Sequence, residues 1–371
     1  PEFLAATADP RGNVMLEALD PSYYYGGAAF FNRGGHVPHA TLMPSDDFYN
    51  ADKTFKSPQE IRRMLDHLGV KPEQQIHTYC GGGGAAAVPF FALKYMLGYP
   101  RVKLFQESQL GWLQDERDLP VWTYGAPYLM RDTPWLKAWN HPMLRVFGLS
   151  RVSIVDVRPA DAFKQGHVPF AVNVPAQVFA SDVQHPDRLA AVLGRAGVDR
   201  SNEVVVVSEG GLNESSALAF MMLERLGQKK VSIFLDGIER WAELGQEVAR
   251  PAAAGSTDKA ADKPSAPALP YAPELRIDTL VGDQKRPRTH PVVYVASGRQ
   301  LPAMKHDAQV LHLPYAQFLD ADGAPRAAKD IWNTLAKAGV PRYAELVLVG
   351  DSLGEAAVNY VIFRLMGFRD V

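Results

Sequence analysis

One cysteine, Cys80, sits in the segment TYCGGGGAAAV, with four glycines directly after it. Cysteine does covalent chemistry as the thiolate, because the thiol is a poor nucleophile. Glycines carry no side chains, so the backbone N–H groups of Gly81, Gly82, Gly83 and Gly84 can curl toward one point and form an anion-binding nest. A helix expected to start near Ala85 would aim the positive end of its dipole at the same point. These features favour the thiolate and would cradle an anionic group attached to its sulfur. The competing reading is a buried, inert cysteine beside a turn, which is common for free cysteines. Against it, each ordered glycine costs roughly 0.5–1 kcal/mol relative to alanine, and a plain turn does not require four. The catalytic candidate is therefore Cys80, with Gly81, Gly82, Gly83, Gly84 and Ala85 lining the bound ligand.

Other chemistry-bearing residues are sparse. His77 precedes Cys80 by three positions on a strand, so alternation puts it on the opposite face. No His/Cys cluster has metal-ligand spacing, and there is no dinucleotide fingerprint or P-loop, so no metal or cofactor is expected. With one cysteine, no internal disulfide can form. The 39 Lys+Arg and 41 Asp+Glu leave a formal charge of −2, which gives no reason to expect nucleic acid or an anionic membrane as partner. The apolar stretch Ala85 to Leu93 is far short of the roughly 20 residues that span a bilayer.

The elements that must hold Cys80 recur along the chain. Gln75 to Tyr79 reads as a strand leading through the glycines into a helix over Ala85 to Leu97. Val204 to Val207 leads through a Gly-Gly turn into Ser215 to Leu226. Glu345 to Val349 leads through Gly350 to Gly354 into Ala356 to Met366. Each helix ends in a similar phrase before Gly98, Gly227 and Gly367, which suits a left-handed C-cap. A further strand and a tryptophan follow the first two caps: Val102 to Phe105 with Trp112, and Val231 to Leu235 with Trp241. Alternating strand and helix predict α/β units with parallel sheets, and three recurrences predict an internal repeat. At 371 residues, two or three domains are expected, with 47% hydrophobic and 22% charged residues typical of a globular chain. The Ala/Pro/Ser-rich stretch 250–269 reads as a linker. The expected domains are 4–130, 131–249 and 270–371. The start Pro-Glu-Phe, without Met, reads as a cloning scar or a processed start, so Pro1 to Phe3 are set aside from the fold.

The segments SIVDVRPADAFKQGHVPFAVNVPA (Ser153 to Ala176) and IFLDGIERWAELG (Ile233 to Gly245) resemble the opening and closing motifs of rhodanese domains. RGGHVPHATLMP (Arg33 to Pro44) and TYCGGGGAAAVPFFAL (Thr78 to Leu93) resemble the same family's Gly-His-x-Pro phrase and active-site loop. The third copy, with HPVVYVAS and VLVGDSLGEAAV, is the weakest match. The resemblance implies an α/β fold of three tandem rhodanese-like domains, each a small parallel sheet with helices on both faces, the third cut short at Val371. It implies sulfur transfer through a persulfide on Cys80. Aligned by their helices, the second copy has Glu209 at the cysteine's place and the third has Gly350 or Asp351. A carboxylate there would repel an anionic substrate, so both copies are expected to be non-catalytic. Tandem members of the family usually carry the cysteine in their last domain; here it comes first, and a preceding domain would restore the usual order.

The loop Cys80 to Ala85 has no Arg or Lys. Loops of thiosulfate-type members are typically basic, and those of 3-mercaptopyruvate-type members small and neutral, so this loop resembles the second kind without its usual hydroxyl. Arg33 is the nearest candidate cation for a carboxylate-bearing donor, although a solvated arginine is as consistent with its type. The pair Asp156 and Arg158 becomes Glu17 and Leu19 in the first copy, so an arginine that often meets substrate in the family is absent. His36 and His167 read as turn histidines bonded to backbone. Related folds act as cysteine phosphatases through Cys-x5-Arg, but the residue six after Cys80 is Ala86, so no arginine clamps a phosphate. The expected partners are a small sulfur donor, 3-mercaptopyruvate or thiosulfate, and a thiol or cyanide acceptor. The alternative is a non-enzymatic scaffold or persulfide-sensing protein. A single thiol suits a bacterial cytoplasm, whereas the Ala/Pro/Lys linker and the start suit a periplasmic, exported form.

Overall fold

The computed structural model describes residues 1–250, 267–276, 279–280, 290–298 and 309–371. Most of the expected linker, 251–266, lies outside them. The chain divides into two compact units. The first comprises Pro1–Pro127, Arg326–Ala344 and Phe363–Asp370; the second comprises Tyr128–Pro325, Glu345–Ile362 and Val371.

The first unit holds one parallel sheet of four strands. These are β1 (Asn13–Glu17), β2 (Thr41–Leu42), β3 (Gln75–Tyr79) and β4 (Val102–Leu104), in the order β2-β1-β3-β4. The register pairs Glu17 with Tyr79 and Thr78 with Leu104. The helix Pro58–His67 is fixed at its start by a capping box, in which Ser57 and Glu60 satisfy each other's backbone N–H, with Pro58 at the first position. It buries Ile61, Met64 and Leu65 on Leu16, Met43, Ile76 and Leu93, the spacing of one helix face. Phe3 is not dispensable. It sits in the helix Glu2–Thr7, is 5% exposed, and stacks on Phe105 at 4.2 Å. Its three-residue context looked like a scar, but a buried aromatic contributes packing wherever it stands in the chain.

Among its described residues the second unit holds two parallel sheets. One is formed by β5 (Met130–Arg131), β6 (Val152–Asp156), β7 (Ala171–Asn173), β8 (Glu203–Val207) and β9 (Lys230–Phe234), ordered β5-β9-β8-β6-β7. Val204 to Val207 are all fully buried, as a central strand covered on both faces requires. The other is formed by β10 (Val292–Ala296), β11 (Gln309–His312) and β12 (Glu345–Val349), ordered β11-β10-β12. The α/β class with small parallel sheets flanked by helices is thus the observed one.

The same core topology recurs around β1, β6 and β10: the next strand in sequence (β2, β7, β11) lies on one side and the one after it (β3, β8, β12) on the other. This common register corrects the helix-based alignment. Glu17 pairs with Tyr79, Asp156 with Val207 and Ala296 with Val349, and the residues after those partners are Cys80, Ser208 and Gly350. Ser208, not Glu209, therefore takes the cysteine's place in the second copy. Counting back from the helix ends fails because the loop-and-helix segments differ in length between copies. The helix after Cys80 also starts later than expected. It runs Ala87–Phe91 and then widens into a π-helix over Ala92–Met96, where Leu97 N–H bonds back five residues to Ala92 O.

Candidate active site

Cys80 is the first residue beyond β3. Its side chain is 2% exposed and lies with Ala18 and Ala86, against Leu19, Ala85 and Leu104. Gly83 N–H donates to Cys80 Sγ at 3.1 Å. Gly83 has φ +94°, and a Cβ there would lie 2.6 Å from the Gln106 carbonyl oxygen, so only glycine can present this amide to the sulfur. At Gly81 a Cβ would meet the Phe30 ring at 2.4 Å. Phe30 is 44% exposed, so an apolar ring forms a partly open cover over the loop. Gly82 has nothing nearer than 3.9 Å and Gly84 nothing within 4 Å, so no steric demand explains glycine at either position.

The floor of the site is the turn after β4. Cys80 N–H donates to Ser108 Oγ at 3.1 Å, and Ser108 Oγ lies 3.9 Å from Sγ. Gln109 and Leu110 N–H donate to the carbonyls of Cys80 and Gly81 at 2.9 and 3.0 Å. The Gln109 side chain reaches further, donating to Glu17 Oε2 at 3.2 Å and to the Gly35 carbonyl at 2.9 Å. Glu17 is fully buried and also accepts Leu19 N–H at 3.3 Å. Burial pushes its carboxyl up to about 7, against the opposing hydrogen bonds from Tyr79, Leu19 and Gln109.

The second copy solves the same position differently. Asp156 is fully buried, and Arg158 binds it at 2.6 Å while donating to the Gly166 carbonyl at 2.8 Å. Gly166 and Gly35 open the two Gly-His-x-Pro phrases, so Gln109 spans the same two acceptors as Arg158 with a neutral amide. A buried acid has a cation beside it in one copy and, among the described residues, none in the other. The second copy's loop is also occupied: Leu212 N–H donates to the Gly323 carbonyl at 2.8 Å, and a Cβ on Gly211 would lie 2.7 Å from the Asp322 carbonyl.

Arg33 forms an ion pair with Asp118 at 3.0 Å, and its side chain is one-third exposed. Among the described contacts none joins it to the loop. His36 is buried, stacks flat on Tyr24 at 3.5 Å and bonds the Tyr24 carbonyl through Nδ1 at 2.8 Å. Burial pushes its pKa down to about 3, so it is a neutral structural ring. His167 repeats the arrangement on Phe163, at 3.8 Å with a 3.0 Å bond to the Phe163 carbonyl. His77 faces Phe3, with ring centroids 5.7 Å apart.

The polar groups beside Sγ are thus a glycine amide and a hydroxyl, donors suited to a sulfur anion and not to a metal. Sequence reasoning singled out Cys80 and the glycines but missed Ser108, Gln109 and Phe30. A signal existed for two of them. Aligning Trp112 with Trp241 places Ser108 opposite Gly237 and Gln109 opposite Ile238. A serine where the repeat has a glycine, next to a polar residue where it has an apolar one, marks a changed environment.

Residues 144–244 match the rhodanese-like domain family. The matched segment is the copy without cysteine. The chain is 38% identical over 92 residues to the sulfur carrier protein TtuD of Thermus thermophilus, covering 25% of this chain and 31% of that relative. It is 29% identical over 123 residues to the thiosulfate sulfurtransferase YnjE of Escherichia coli, covering 33% of this chain and 25% of that one. The chain thus spans under two-fifths of these relatives' lengths. The solved structure of EanB with ergothioneine superposes over 100% of this chain and 92% of that one, with a TM-score of 0.53 and 15% identity, a likeness of fold. Among the described residues no helix is long and apolar enough to cross a membrane.

Proposed function

We propose that the protein is a sulfurtransferase in which Cys80 carries sulfane sulfur as a persulfide. The observation that carries this reading is the Gly83 amide directed at Sγ, at 3.1 Å, in the one copy that has a cysteine. In the first half-reaction the Cys80 thiolate attacks the outer sulfur of a small donor. With thiosulfate the S–S bond breaks and sulfite leaves with its electron pair. With 3-mercaptopyruvate the C–S bond breaks and pyruvate leaves after its enolate is protonated. In the second, an acceptor thiolate or cyanide attacks the outer sulfur and the Cys80 thiolate departs. Gly81, Gly82, Gly83, Gly84 and Ala85 line the bound sulfur, and Arg33, released from Asp118, is the candidate cation for a donor carboxylate. The loop's lack of Arg and Lys favours 3-mercaptopyruvate. We read the chain as three tandem rhodanese-like copies over 4–130, 131–249 and 270–371, the second and third non-catalytic.

The occupied loop and buried ion pair of the second copy, where the family match falls, favour a second reading: a scaffold whose cysteine binds or senses persulfide without turnover. Intact mass after exposure to 3-mercaptopyruvate and, separately, thiosulfate separates the two, with Cys80→Ser as control. A gain of one sulfur atom in the wild type alone, lost on adding cyanide or a thiol, supports the transferase. No gain with either donor refutes it.

A further inference from the structure

Ser108 stands in backbone that serine does not favour. Its φ is +52°, inside the left-handed region, and it is fully buried. The equivalent residue of the second copy is Gly237, at φ +68°. The equivalence rests on strand register: Thr78 pairs with Leu104 in one sheet and Val206 with Ile233 in the other, so Ser108 and Gly237 each stand four residues beyond matching strand positions. The repeat therefore uses glycine at this turn where the neighbouring strand is followed by Ser208, and serine where it is followed by Cys80. Steric comfort argues against the serine, so the hydroxyl itself must account for it.

That hydroxyl has three neighbours. It accepts Cys80 N–H at 3.1 Å, lies 2.8 Å from the Phe105 carbonyl, and lies 3.9 Å from Sγ. A serine has one proton and a free rotor to aim it. Beside a neutral thiol the carbonyl is the better acceptor. Beside a thiolate or a persulfide anion the sulfur is the stronger one, because a charged acceptor roughly doubles the bond. The approach comes from the turn after β4, whereas Gly83 N–H comes from the loop after β3.

We propose that Ser108 is a second hydrogen-bond donor to the Cys80 sulfur, turning its proton from the Phe105 carbonyl to Sγ as the sulfur becomes anionic. Ser108 thereby supplies, from outside the loop, the hydroxyl that the loop lacks. This rests on the reading of Cys80 as the sulfur carrier, and the test reads the thiol and the sulfur separately. Ser108→Gly restores the repeat's own residue and should fold at least as well as the wild type. Ser108→Ala keeps the Cβ and removes only the hydroxyl.

The experiment follows alkylation of Cys80 by iodoacetamide between pH 6 and 9, by intact mass, and sulfur loading from 3-mercaptopyruvate at pH 7. Loss of a hydrogen bond to a charged sulfur predicts that both variants shift the alkylation midpoint up by about one pH unit and load about tenfold more slowly at pH 7. Variants that keep the wild-type alkylation profile would overturn the proposal, whatever their loading rate. A wild type that takes no sulfur would instead refute the carrier reading, while the alkylation profile still decides Ser108.

Discussion

Glu17 is a carboxyl buried without a cation among the described residues, and that should be visible as a dependence of folding stability on pH. Its pKa is pushed from 4.5 to about 7 by burial. A raised acid holds its proton in the folded state over a range where the unfolded chain has released it. Stability is therefore highest below about pH 4.5, falls as pH rises through the window to 7, and carries the full cost above it. At roughly 1.4 kcal/mol per pH unit the full cost is about 3 kcal/mol, of which some 2–3 kcal/mol develops between pH 5 and pH 8. Glu17→Gln keeps the shape and cannot ionise. Its neighbours remain: the Gln109 amide at 3.2 Å, Leu19 N–H at 3.3 Å and the Tyr79 hydroxyl. The assay is urea denaturation of wild type and variant at pH 5 and pH 8. The buried histidines, whose depressed pKa values act in the opposite direction, are common to both proteins and cancel in the difference. The variant should gain about 2–3 kcal/mol on the wild type from pH 5 to pH 8. A difference that stays the same at both pH values would refute the reasoning that Gln109 is an inadequate partner for this charge.

Other outcomes follow from the same geometry. Leu19→Arg recreates the spacing of Asp156 and Arg158, so it should lower the Glu17 pKa and flatten the wild-type pH dependence in the same urea titration. Gly83→Ala forces a side chain to 2.6 Å from the Gln106 carbonyl at φ +94°, and should cost about 1–3 kcal/mol by denaturant midpoint and abolish sulfur loading by mass. Gly81→Ala drives Phe30 off the loop; in a double-mutant cycle with Phe30→Ala the two changes should be strongly non-additive in alkylation rate, and additivity would show that the ring does not cover the thiol. Arg158→Ala strands the buried Asp156 carboxylate and should destabilise the protein by about 3–5 kcal/mol in denaturant melts.

The features legible in the sequence were those set by local chemistry. Strand β3, its glycine loop and a following helix could be read because apolar runs, glycines and helix formers are contiguous there. The Gly-His-x-Pro histidines could be read as structural because they recur in the same phrase. The misread features depend on register or on long-range contact. Ser208 was hidden behind Glu209 because the copies differ in length between loop and cap. Gln109 meets Glu17 across 92 residues of chain, a distance no local pattern spans. The left-handed turn at Ser108 was concealed because its residue type denies it, whereas Gly237 advertises it. The flanking residues of Phe3 give no sign of burial, yet its ring completes an aromatic group with Phe105 and Trp112.

The Gly323 carbonyl bonded to Leu212 N–H makes the second copy a receptor delivered with its ligand tethered. A tethered group competes at an effective concentration of about millimolar or more, so a free anion must displace it before it can bind. Replacing Ser208 with cysteine would therefore put a thiol at the right strand position without creating a second carrier. Converting this copy would also require pulling Asp322 and Gly323 out of the loop. On the proposed reading of this copy as non-catalytic, that state is held by a contact made elsewhere in the chain, and reversing it takes more than one substitution.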